Sequence, residues 1–361
     1  MSGIWGKNLR VSIFGESHAP AIGIVIDGLP PGIELDMENI KFQMNRRAPG
    51  KSKMSTPRGE KDEFEILSGY FNGTTTGTPL ACMIRNADKR SSDYENIRKT
   101  PRPGHADYTG FIKYAGFNDY RGGGHFSGRL TAPLVFAGAI AQQVLAGMGV
   151  VISAHAQSVA GIQDSRFEEV NVDKDLIERL KASELAAIDP AKGELMKSEI
   201  LKAREELDSV GGVVECIAMG IPAGLGDPFF DSVESRLSGM LFSIPAVKGV
   251  EFGAGFEIAN MRGSKANDEY VVREGRLSTK TNNNGGILGG ITSGMPVVFR
   301  AAIKPTPSIS QTQSSVDISS MKEVQLKVEG RHDPCIVPRA IPVVEAAAAI
   351  VILDMMLEGR Q

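Results

Sequence analysis

The 361-residue sequence predicts a protein of the α+β class, in which central helices lie between two antiparallel sheets with an internal pseudo-twofold duplication. Two observations support this prediction. Segments of the first half recur in the same order in the second half, and two long segments are apolar on almost every side. Helices of that kind belong in the interior, where other elements cover them. A β-α-β sandwich provides that cover.

The duplication rests on three pairs of features that share residues and order. They are "VIDGLPPGI" (25–33) with "IAMGIPAGL" (217–225), "GTTTGTPL" (73–80) with "GITSGMPV" (290–297), and Arg121 and Arg129 with Arg331 and Arg339, which precede the two apolar helices. These pairs predict two related halves, about 1–150 and 210–361, within a single domain over 1–361. The alternative is that Gly-Pro turns resemble one another in unrelated proteins.

Each half is predicted to contain two strands separated by Gly-rich turns, then a polar loop and a long helix. The segments are "IGIVIDGL" and "PLACMIRNA" in the first half, "GGVVECIAMGI" and "PVVFRAAIK" in the second, and helices near 131–147 and 341–357. Residues 166–208 interrupt the repetition and are predicted to be a solvated helical insertion. Leu195, Ile200, Leu201 and Leu207 are expected to form its apolar stripe, and Gly211 to end its helix.

Composition excludes several classes of function. A net charge of −3 and a pI of about 6.0 give no basic field for nucleic acid. Cys82, Cys216 and Cys335 form no CxxC pair, so we expect neither a disulfide framework nor a metal site, and reduced thiols indicate a cytoplasmic protein. The N-terminus lacks the apolar core of a signal peptide. The longest apolar run, 342–357, carries two acidic residues, which favours a buried helix over a membrane span.

Three histidines in Gly- or Pro-rich loops are candidates for proton transfer. His18 lies in "FGESHAPAIG", His105 in "RPGHADYTG" and His332 in "EGRHDPC". Histidine is the side chain best suited to exchange protons near neutral pH, and loops carry functional groups more often than regular elements. His155, in "ISAHAQ", has no charged neighbour in sequence and is predicted to be structural.

Two loops concentrate positive charge in a chain that is acidic overall. Residues 41–61 and 85–102 are rich in lysine and arginine, and Pro, Gly and Ser mark the first as a loop. Such runs are usually solvated surface. Arginine also binds carboxylate and phosphate through two parallel hydrogen bonds, so the alternative is a cleft for a small polyanion.

The segment "RGGGHFSGRLTA" (121–132) places three glycines directly before the first apolar helix. Glycines allow backbone amides to approach a phosphate, and a helix N-terminus favours an anion. The segment lacks the Gly-Lys-Ser/Thr of a P-loop and is not a clean GxGxxG. It therefore predicts an anion or phosphorylated cofactor site without specifying which.

Ordered motifs along nearly the whole chain resemble the chorismate synthase family. They are "FGESHAPAIGIVIDGLPPGI", "NRRAPG", "ILSGYFNGTTTGTP", "RPGHADYTG", "IPAGLGDP", "AVKGVEFG", "GGILGGITSG", "KPTPSI" and "GRHDPCIVPRAIPVVEA". The resemblance implies a lyase that converts 5-enolpyruvylshikimate 3-phosphate to chorismate and phosphate by anti 1,4-elimination. It also implies reduced FMN as cofactor, possible use of NADPH or a separate flavin reductase, a helix-between-sheets fold and a homotetramer.

The resemblance implies roles for individual residues. The catalytic residues would be His18, which assists departure of the phosphate, His105, which protonates the flavin, and Asp333, which helps the flavin accept the substrate proton. The residues implied to contact FMN are His125, Phe126, Ser127, Pro245, Ala246, Gly289, Lys304, Pro305, Thr306, Pro307, Ser308 and Arg331. The residues implied to bind the substrate or its anionic groups are Ser17, Arg47, Lys53 and Arg129.

The Gly-rich loop departs from the pattern common in the family. His125 stands where many members have arginine, Phe126 where they have serine, and Leu130 where they have glutamate. Pro245 stands where asparagine is common. We hypothesise that the changes at His125 and Leu130 are coupled, since losing the arginine and the glutamate together leaves neither charge unpaired.

Two other functions remain open from the sequence. One is an FMN- or nucleotide-dependent reductase or kinase that uses the same Gly-rich loops, although no P-loop or dinucleotide fingerprint is present. The other is an anion-binding structural protein without enzymatic activity, which the altered Gly-rich loop permits.

Overall fold

The computed structural model describes residues 3–50, 52, 54–56, 59–60, 62–86, 96–169, 171–328 and 332–358. Two of the predicted site residues, Lys53 and Arg331, lie outside this part of the chain.

The described residues mix helices with antiparallel sheets, which confirms the predicted α+β class. The helices are α1 (Met37–Arg47), α2 (Asp107–Lys113), α3 (Thr131–Ala146), α4 (Lys174–Ala182), α5 (Pro190–Glu205), α6 (Val233–Leu241), α7 (Gly263–Ala266) and α8 (Val337–Glu358). The strands of the first half are β1 (Ile4–Trp5), β2 (Arg10–Gly15), β3 (Ala21–Asp27), β4 (Phe64–Ser68), β5 (Tyr70–Phe71), β6 (Thr74–Thr75) and β7 (Leu80–Arg85). The remaining strands are β8 (Val151–Val159), β9 (Ile162–Gln163), β10 (Gly212–Met219), β11 (Val247–Phe252), β12 (Tyr270–Arg273), β13 (Arg276–Thr279), β14 (Ile287–Leu288), β15 (Ile291–Thr292), β16 (Val297–Ile303), β17 (Thr312–Asp317) and β18 (Lys322–Lys327).

Two five-stranded antiparallel sheets contain the β-branched segments that the sequence identifies as strands. The first has the order β1-β2-β3-β7-β4, and the second, read from its β9 edge, has the order β9-β8-β10-β16-β11. In each sheet the central strand is the one that ends in the Gly/Pro turn. Its apolar side chains are almost wholly buried, as in "IGIVI" and "VECIA".

The two long apolar helices pack against each other and lie between the two sheets. Helix α3 contacts β2, β3 and β7 of the first sheet and β8 of the second, and α8 contacts β8 and β10 of the second. Both helices are buried on nearly all sides, as their composition predicts. The second helix begins at Val337, earlier than predicted, because Pro342 is accommodated inside it rather than at its start.

Thr75 of β6 and Thr292 of β15 hold the same position in "GTTTGTPL" and "GITSGMPV" and make matching hydrogen bonds. Each hydroxyl donates to the carbonyl of a proline, Pro30 or Pro222, at 2.7 Å. Each also accepts a hydrogen bond from the backbone amide three residues beyond that proline, at 3.0 and 2.9 Å. The two prolines hold matching positions in "VIDGLPPGI" and "IAMGIPAGL".

The segment 166–208 forms α4 and α5, which pack on β8. The predicted apolar stripe is wrong in part, since Leu195 and Leu207 are 53% and 54% exposed. Helix α5 begins at Pro190 behind the cap Asp189 and buries Gly193, Met196, Ile200 and Ala203, so Leu195 falls on the opposite face. The helix also ends at Glu205, well before the predicted stop at Gly211, because the chain turns at Leu207 with φ +59° and then enters β10.

Two helices, Gly128–Ala146 and Val337–Glu358, are long and apolar enough to span a membrane by length and composition alone. The share of residues buried inside the protein is 78% in the most apolar stretch of the first and 89% in that of the second. Such burial is typical of core helices.

Candidate active site

A cavity of about 860 Å³ lies where the loops preceding α3 and α8 come together. Its wall draws residues from 102–106, 122–131, 240–247, 304–308 and 332–343, together with Trp5 and Arg47. The size is typical of a site for a small molecule or cofactor. Because these segments are distant in sequence, the packing of α3 against α8 is what brings them together.

The three glycines of the loop at 121–132 are required by both conformation and space. Gly122, Gly123 and Gly124 have φ of +62°, +97° and +54°, a region that residues with a side chain rarely adopt. A Cβ at Gly122 would overlap the ring of His18, and one at Gly123 would lie 3.0 Å from His105 Cε1. The glycines therefore allow the loop to pack directly on two histidines.

His18 is buried at 5% exposure behind this loop. Its Nδ1 lies 3.2 Å from the hydroxyl of Ser17, which donates to the carbonyl of Arg121 at 3.1 Å. Ser17 lines the cavity, whereas His18 is not among its lining residues and lies one layer behind it.

His105 lines the cavity within a buried charged cluster. Its Nδ1 lies 2.6 Å from Asp107 Oδ1, so an Nδ1–H would donate to that carboxylate. Arg102 also contacts Asp107, at 2.7 Å and 2.8 Å, and its guanidinium lies 3.1 Å from His105 Nδ1. Burial alone would raise the pKa of Asp107, but Arg102 and His105 outweigh it and lower the pKa well below its usual value. The carboxylate is therefore ionised and fixes the orientation of the imidazole.

Arg47 and Arg129, both implied to bind anions, meet at the buried carboxylate of Asp62. Arg47 Nε donates to Asp62 Oδ2 at 2.8 Å, and Arg129 Nη1 donates to Asp62 Oδ1. Burial alone would raise the pKa of Asp62, but the two guanidiniums outweigh it and hold the pKa below its usual value. Glu60 adds a second carboxylate, 3.3 Å from Arg129.

Asp333 lines the cavity on the side of α8. Its Oδ1 accepts from the backbone amide of Thr56 at 2.8 Å, and its Oδ2 accepts from Arg339 Nη1 at 2.5 Å. Arg339 also donates from Nε to the carbonyl of Arg47 at 2.9 Å. Both carboxylate oxygens are thus held in place by donors from different segments.

His125 and Phe126, the departures from the family pattern, lie at the edge of the cavity. His125 is exposed, and its Nδ1 lies 2.8 Å from the carbonyl oxygen of Gly15. Phe126 packs on α2 at Gly110, with its ring centroid 6.2 Å from that of Tyr114. Leu130 is buried at 7% exposure, where a glutamate would need a partner.

The segment 304–308 forms a further wall with polar side chains. Lys304 Nζ donates to the carbonyl of Gly104, and Ser308 Oγ accepts from Arg102 at 3.1 Å. Thr306 Oγ1 is buried without a hydrogen-bond partner in the described part of the chain. Ala246, directly beside Lys304, has φ +75°, and its carbonyl accepts from the Lys304 amide at 3.0 Å. A buried hydroxyl without a partner at a cavity wall is suited to hydrogen-bond a ligand.

The chorismate synthase family model matches residues 9–357. The chain belongs to the chorismate synthase family. It is 50% identical over 355 residues to the chorismate synthase of Thermococcus kodakarensis and 52% identical over 356 residues to that of Thermococcus gammatolerans, with 98% of each chain covered in both comparisons. It also resembles a crystal structure of chorismate synthase with a TM-score of 0.76 and 33% identity, over 98% of this chain and 93% of that one.

As a member of the chorismate synthase family, the protein is a lyase of the shikimate pathway, and it catalyses the final step, from 5-enolpyruvylshikimate 3-phosphate to chorismate. The charged groups around the cavity suit a substrate that carries two carboxylates and a phosphate.

Most of the residues implied by the chorismate synthase resemblance line this one cavity. They are His105, Asp333, His125, Phe126, Ser127, Pro245, Ala246, Lys304, Thr306, Pro307, Ser308, Ser17, Arg47 and Arg129. Pro305 and His18 lie beside it without lining it. Gly289 is not brought to the cavity, because it lies exposed in the turn between β14 and β15 with φ +61°.

Sequence reasoning missed two carboxylates that organise the site. Asp107 stands two residues after His105, so its place in the same motif was an available signal. Asp62 had no such signal, because its partners are Arg47 and Arg129, one of them 67 positions away. Among the described residues, no group of three or more His, Cys, Asp or Glu side chains could hold a metal ion.

Proposed function

We propose that this cavity binds 5-enolpyruvylshikimate 3-phosphate together with reduced FMN, and that it carries out the anti 1,4-elimination of phosphate. One observation carries this proposal: the same cavity is lined by His105, Asp333, Arg47 and Arg129. It brings two groups able to move protons next to cations suited to carboxylate and phosphate.

The cavity fits a phosphorylated flavin in volume and in chemistry. The Thr306 hydroxyl, which has no hydrogen-bond partner among the described residues, and the Lys304 ammonium provide a hydrogen-bond donor and a positive charge on the same wall. Next to Lys304, Pro245 and Ala246 offer an apolar surface for a planar ring. When bound, reduced FMN supplies transient electron donation to the substrate without net redox change.

Each proposed catalytic residue has a separate task. His105, oriented by Asp107, would donate a proton from its imidazole to a flavin bound in the cavity. Asp333, held by Arg339 and the Thr56 amide, keeps a carboxylate in place to direct the proton removed from the substrate ring. His18, packed behind Gly122, is placed to donate a proton toward the departing phosphate through the Ser17 side of the cavity. Protonation makes phosphate a better leaving group.

Anaerobic turnover with chemically reduced FMN is the direct test of this function. We expect chorismate, detected by its absorbance, to form from 5-enolpyruvylshikimate 3-phosphate only when the flavin is reduced. A parallel reaction supplies oxidised FMN and NADPH and shows whether the protein reduces its own flavin or depends on a separate reductase. Absence of chorismate with fully reduced FMN would rule out the proposal, and NADPH consumption without chorismate would favour the reductase alternative.

Replacing His125 with arginine tests whether the altered Gly-rich loop changes cofactor binding. His125 is exposed and its imidazole contacts Gly15, so an arginine can be accommodated there without burying a new charge. If His125 has a specialised role, the variant should bind FMN about tenfold more weakly at pH 7, since it loses the imidazole. Quenching of Trp5, the only tryptophan and a cavity residue, provides the titration signal. Binding as tight as that of the parent would show that His125 has no such role.

The architecture supports a further proposal on how the chain is organised. We propose a single domain built as a β-α-β sandwich from two pseudo-twofold halves, about 1–150 and 210–361, with 166–208 as an insertion. Three strands have the same order in the two sheets, β3-β7-β4 and β10-β16-β11, and Thr75 and Thr292 make equivalent hydrogen bonds; both observations support this duplication. A homotetramer in the cytoplasm is proposed from the resemblance, and sedimentation of the purified protein tests the assembly.

A further inference from the structure

We propose that Asp62 is a positioning residue of the anion-binding wall: its carboxylate fixes the Arg47 and Arg129 guanidiniums relative to each other and limits the positive charge that they present to the substrate. This inference rests on the proposed function, because it assumes that the two arginines bind the anionic groups of the substrate. Asp62 itself does not line the cavity.

The two arginines reach Asp62 from separate parts of the fold. Arg47 is the last residue of α1, and Arg129 lies in the turn that joins the Gly-rich loop to α3. Asp62, two residues before β4, stands between them with one oxygen directed at each guanidinium. Its φ of +53° is unusual for a residue with a side chain, so the backbone adopts a strained conformation to place the carboxylate there.

Most of the remaining donors of both guanidiniums are directed at the protein. Arg129 Nε donates to Asn86 Oδ1 at 3.0 Å, and its Nη2 donates to the carbonyl of Arg85 at 3.3 Å. Arg47 Nη1 donates to Thr131 Oγ1 at 3.3 Å, whereas its Nη2 lies 2.6 Å from Asp62 and makes no hydrogen bond within the described part of the chain. These contacts fix both guanidiniums and leave Arg47 Nη2 able to donate to an anion, as a preorganised anion site requires.

Burial makes the carboxylate necessary for this arrangement. Asp62 is 3% exposed, Arg47 1% and Arg129 7%, so water cannot replace the missing counter-charge. Like charges so close together repel strongly in a medium of low effective dielectric. Without Asp62 the two guanidiniums would move apart, and an anion in the cavity would be drawn more strongly to both.

Replacing Asp62 with asparagine should therefore separate binding from turnover. The asparagine keeps the size of the side chain but removes its charge. We expect inorganic phosphate, which is a product, to inhibit the variant with about a tenfold lower inhibition constant, because one negative charge beside the site is lost. We expect kcat to fall about tenfold, since the guanidiniums lose their common anchor and bound phosphate leaves more slowly.

The measurement combines anaerobic kinetics with a check of folding. KM, kcat and phosphate inhibition are determined for the folded fraction, and urea unfolding is followed by Trp5 fluorescence. A purely structural role for Asp62 would lower the unfolding midpoint and leave phosphate inhibition within twofold of the parent, which would overturn the proposal.

If the asparagine variant does not fold, Asp62→Glu carries the test. It keeps the charge and displaces it, so kcat should fall about tenfold while phosphate inhibition changes less than threefold. A parental kcat in Asp62→Glu would overturn the proposal.

Asp354→Asn is the matched control. Asp354 is another fully buried aspartate, it pairs with Arg236, and neither residue lines the cavity. We expect this variant to lose stability while its phosphate inhibition and the kcat of the folded fraction stay at parental values.

Arg129→Lys separates failure of this inference from failure of the proposed function. If Arg129→Lys leaves KM and phosphate inhibition unchanged, the arginine does not bind the substrate, and the proposed role of this wall is wrong. If Arg129→Lys raises KM while Asp62→Asn changes only stability, the wall binds the substrate and Asp62 has no positioning role.

Discussion

Replacing Asp333 with asparagine is expected to lower kcat about 100- to 1,000-fold, which is the range that a general acid or base contributes. The asparagine retains an oxygen that can accept from the Thr56 amide, so the loop should keep its shape. It loses the basicity that directs the proton taken from the substrate ring, and it leaves Arg339 without its carboxylate partner. Anaerobic assays with saturating substrate and reduced FMN measure the effect.

The pattern of KM and kcat distinguishes catalysis by Asp333 from a general disturbance of the cavity. KM should change by less than about fivefold, because the arginines of the opposite wall are untouched. Asp231→Asn is the control, since Asp231 also pairs with a cation, Lys7, at 2.9 Å, but on the surface and outside the cavity. The control should retain the parental rate. A variant at Asp333 that turns over at a near-parental rate would remove this carboxylate from the mechanism.

The strands and central helices could be predicted because their sequence patterns are local. Apolar composition on all faces sufficed to place α3 and α8 in the interior, and β-branched segments before Gly/Pro turns identified β3 and β10. The helices of the insertion were harder to predict. Their buried face depends on which side of α5 meets β8, and the leucines of "GELMKSEILKAREEL" lie on more than one side.

The candidate site was predictable where its residues share a motif and not where they meet across the fold. His105 and Asp107 are two positions apart, so the pairing lies within "RPGHADYTG". Asp62 joins Arg47 to Arg129 only because α1 and the start of α3 pack together. The dense basic loops 41–61 and 85–102 are compatible with either solvated surface or an anion site. Arg47 and Arg102, one from each loop, both have carboxylate partners, as do Arg129 and Arg339 elsewhere at the cavity. The positive charge available to a ligand is therefore smaller than the sequence indicates.

His155 shows the same limit outside the site. Its sequence neighbours carry no charge, yet pairing between strands places it beside Glu215 of β10, which is paired in turn with Arg300 of β16. His155 Nε2 lies 3.0 Å from Glu215, and its Nδ1 lies 3.1 Å from Asp164. The structural role predicted for this histidine is therefore that of a charged link between strands, with Glu251 of β11 at the outer end of the row.

Replacing Glu215 with glutamine is expected to lower the free energy of unfolding by about 3–5 kcal/mol, the usual effect of removing one member of a buried ion pair. Glu215 is fully buried and accepts from His155, from Arg300 Nη1 at 3.1 Å and from the Phe167 amide at 2.8 Å. Glutamine cannot accept from all three donors, and it leaves Arg300 with half of its counter-charge. Urea unfolding measures the loss.

The pH dependence of unfolding should change in the same variant. Burial alone would lower the pKa of His155, but its hydrogen bonds to Asp164 and Glu215 outweigh burial and raise it. The stability that this raised pKa provides is fully present below about pH 6.5, the pKa of histidine in the unfolded chain. It is lost as the pH rises through the pKa of His155 in the folded protein. Burial alone would raise the pKa values of Asp164 and Glu215. Their hydrogen bonds, with those to His155 first, outweigh burial and lower both pKa values, so the stability that these two carboxylates contribute is lost only at acid pH. The parent should therefore be most stable between about pH 4.5 and 6.5, and Glu215→Gln should lose stability less steeply above that window.

Glu251→Gln is the control for burial, because Glu251 pairs with the same arginine at 2.6 Å but its side chain is 31% exposed. Water already solvates part of Glu251, and Arg300 keeps its buried partner Glu215 in this variant, so the cost should be about 1 kcal/mol. Neither variant should alter turnover of the folded protein, since His155, Glu215, Arg300 and Glu251 do not line the cavity. Equal losses in the two variants would mean that the buried end of the row contributes no more than its exposed end, and negligible losses in both would mean that the charged link between the strands is not a source of stability.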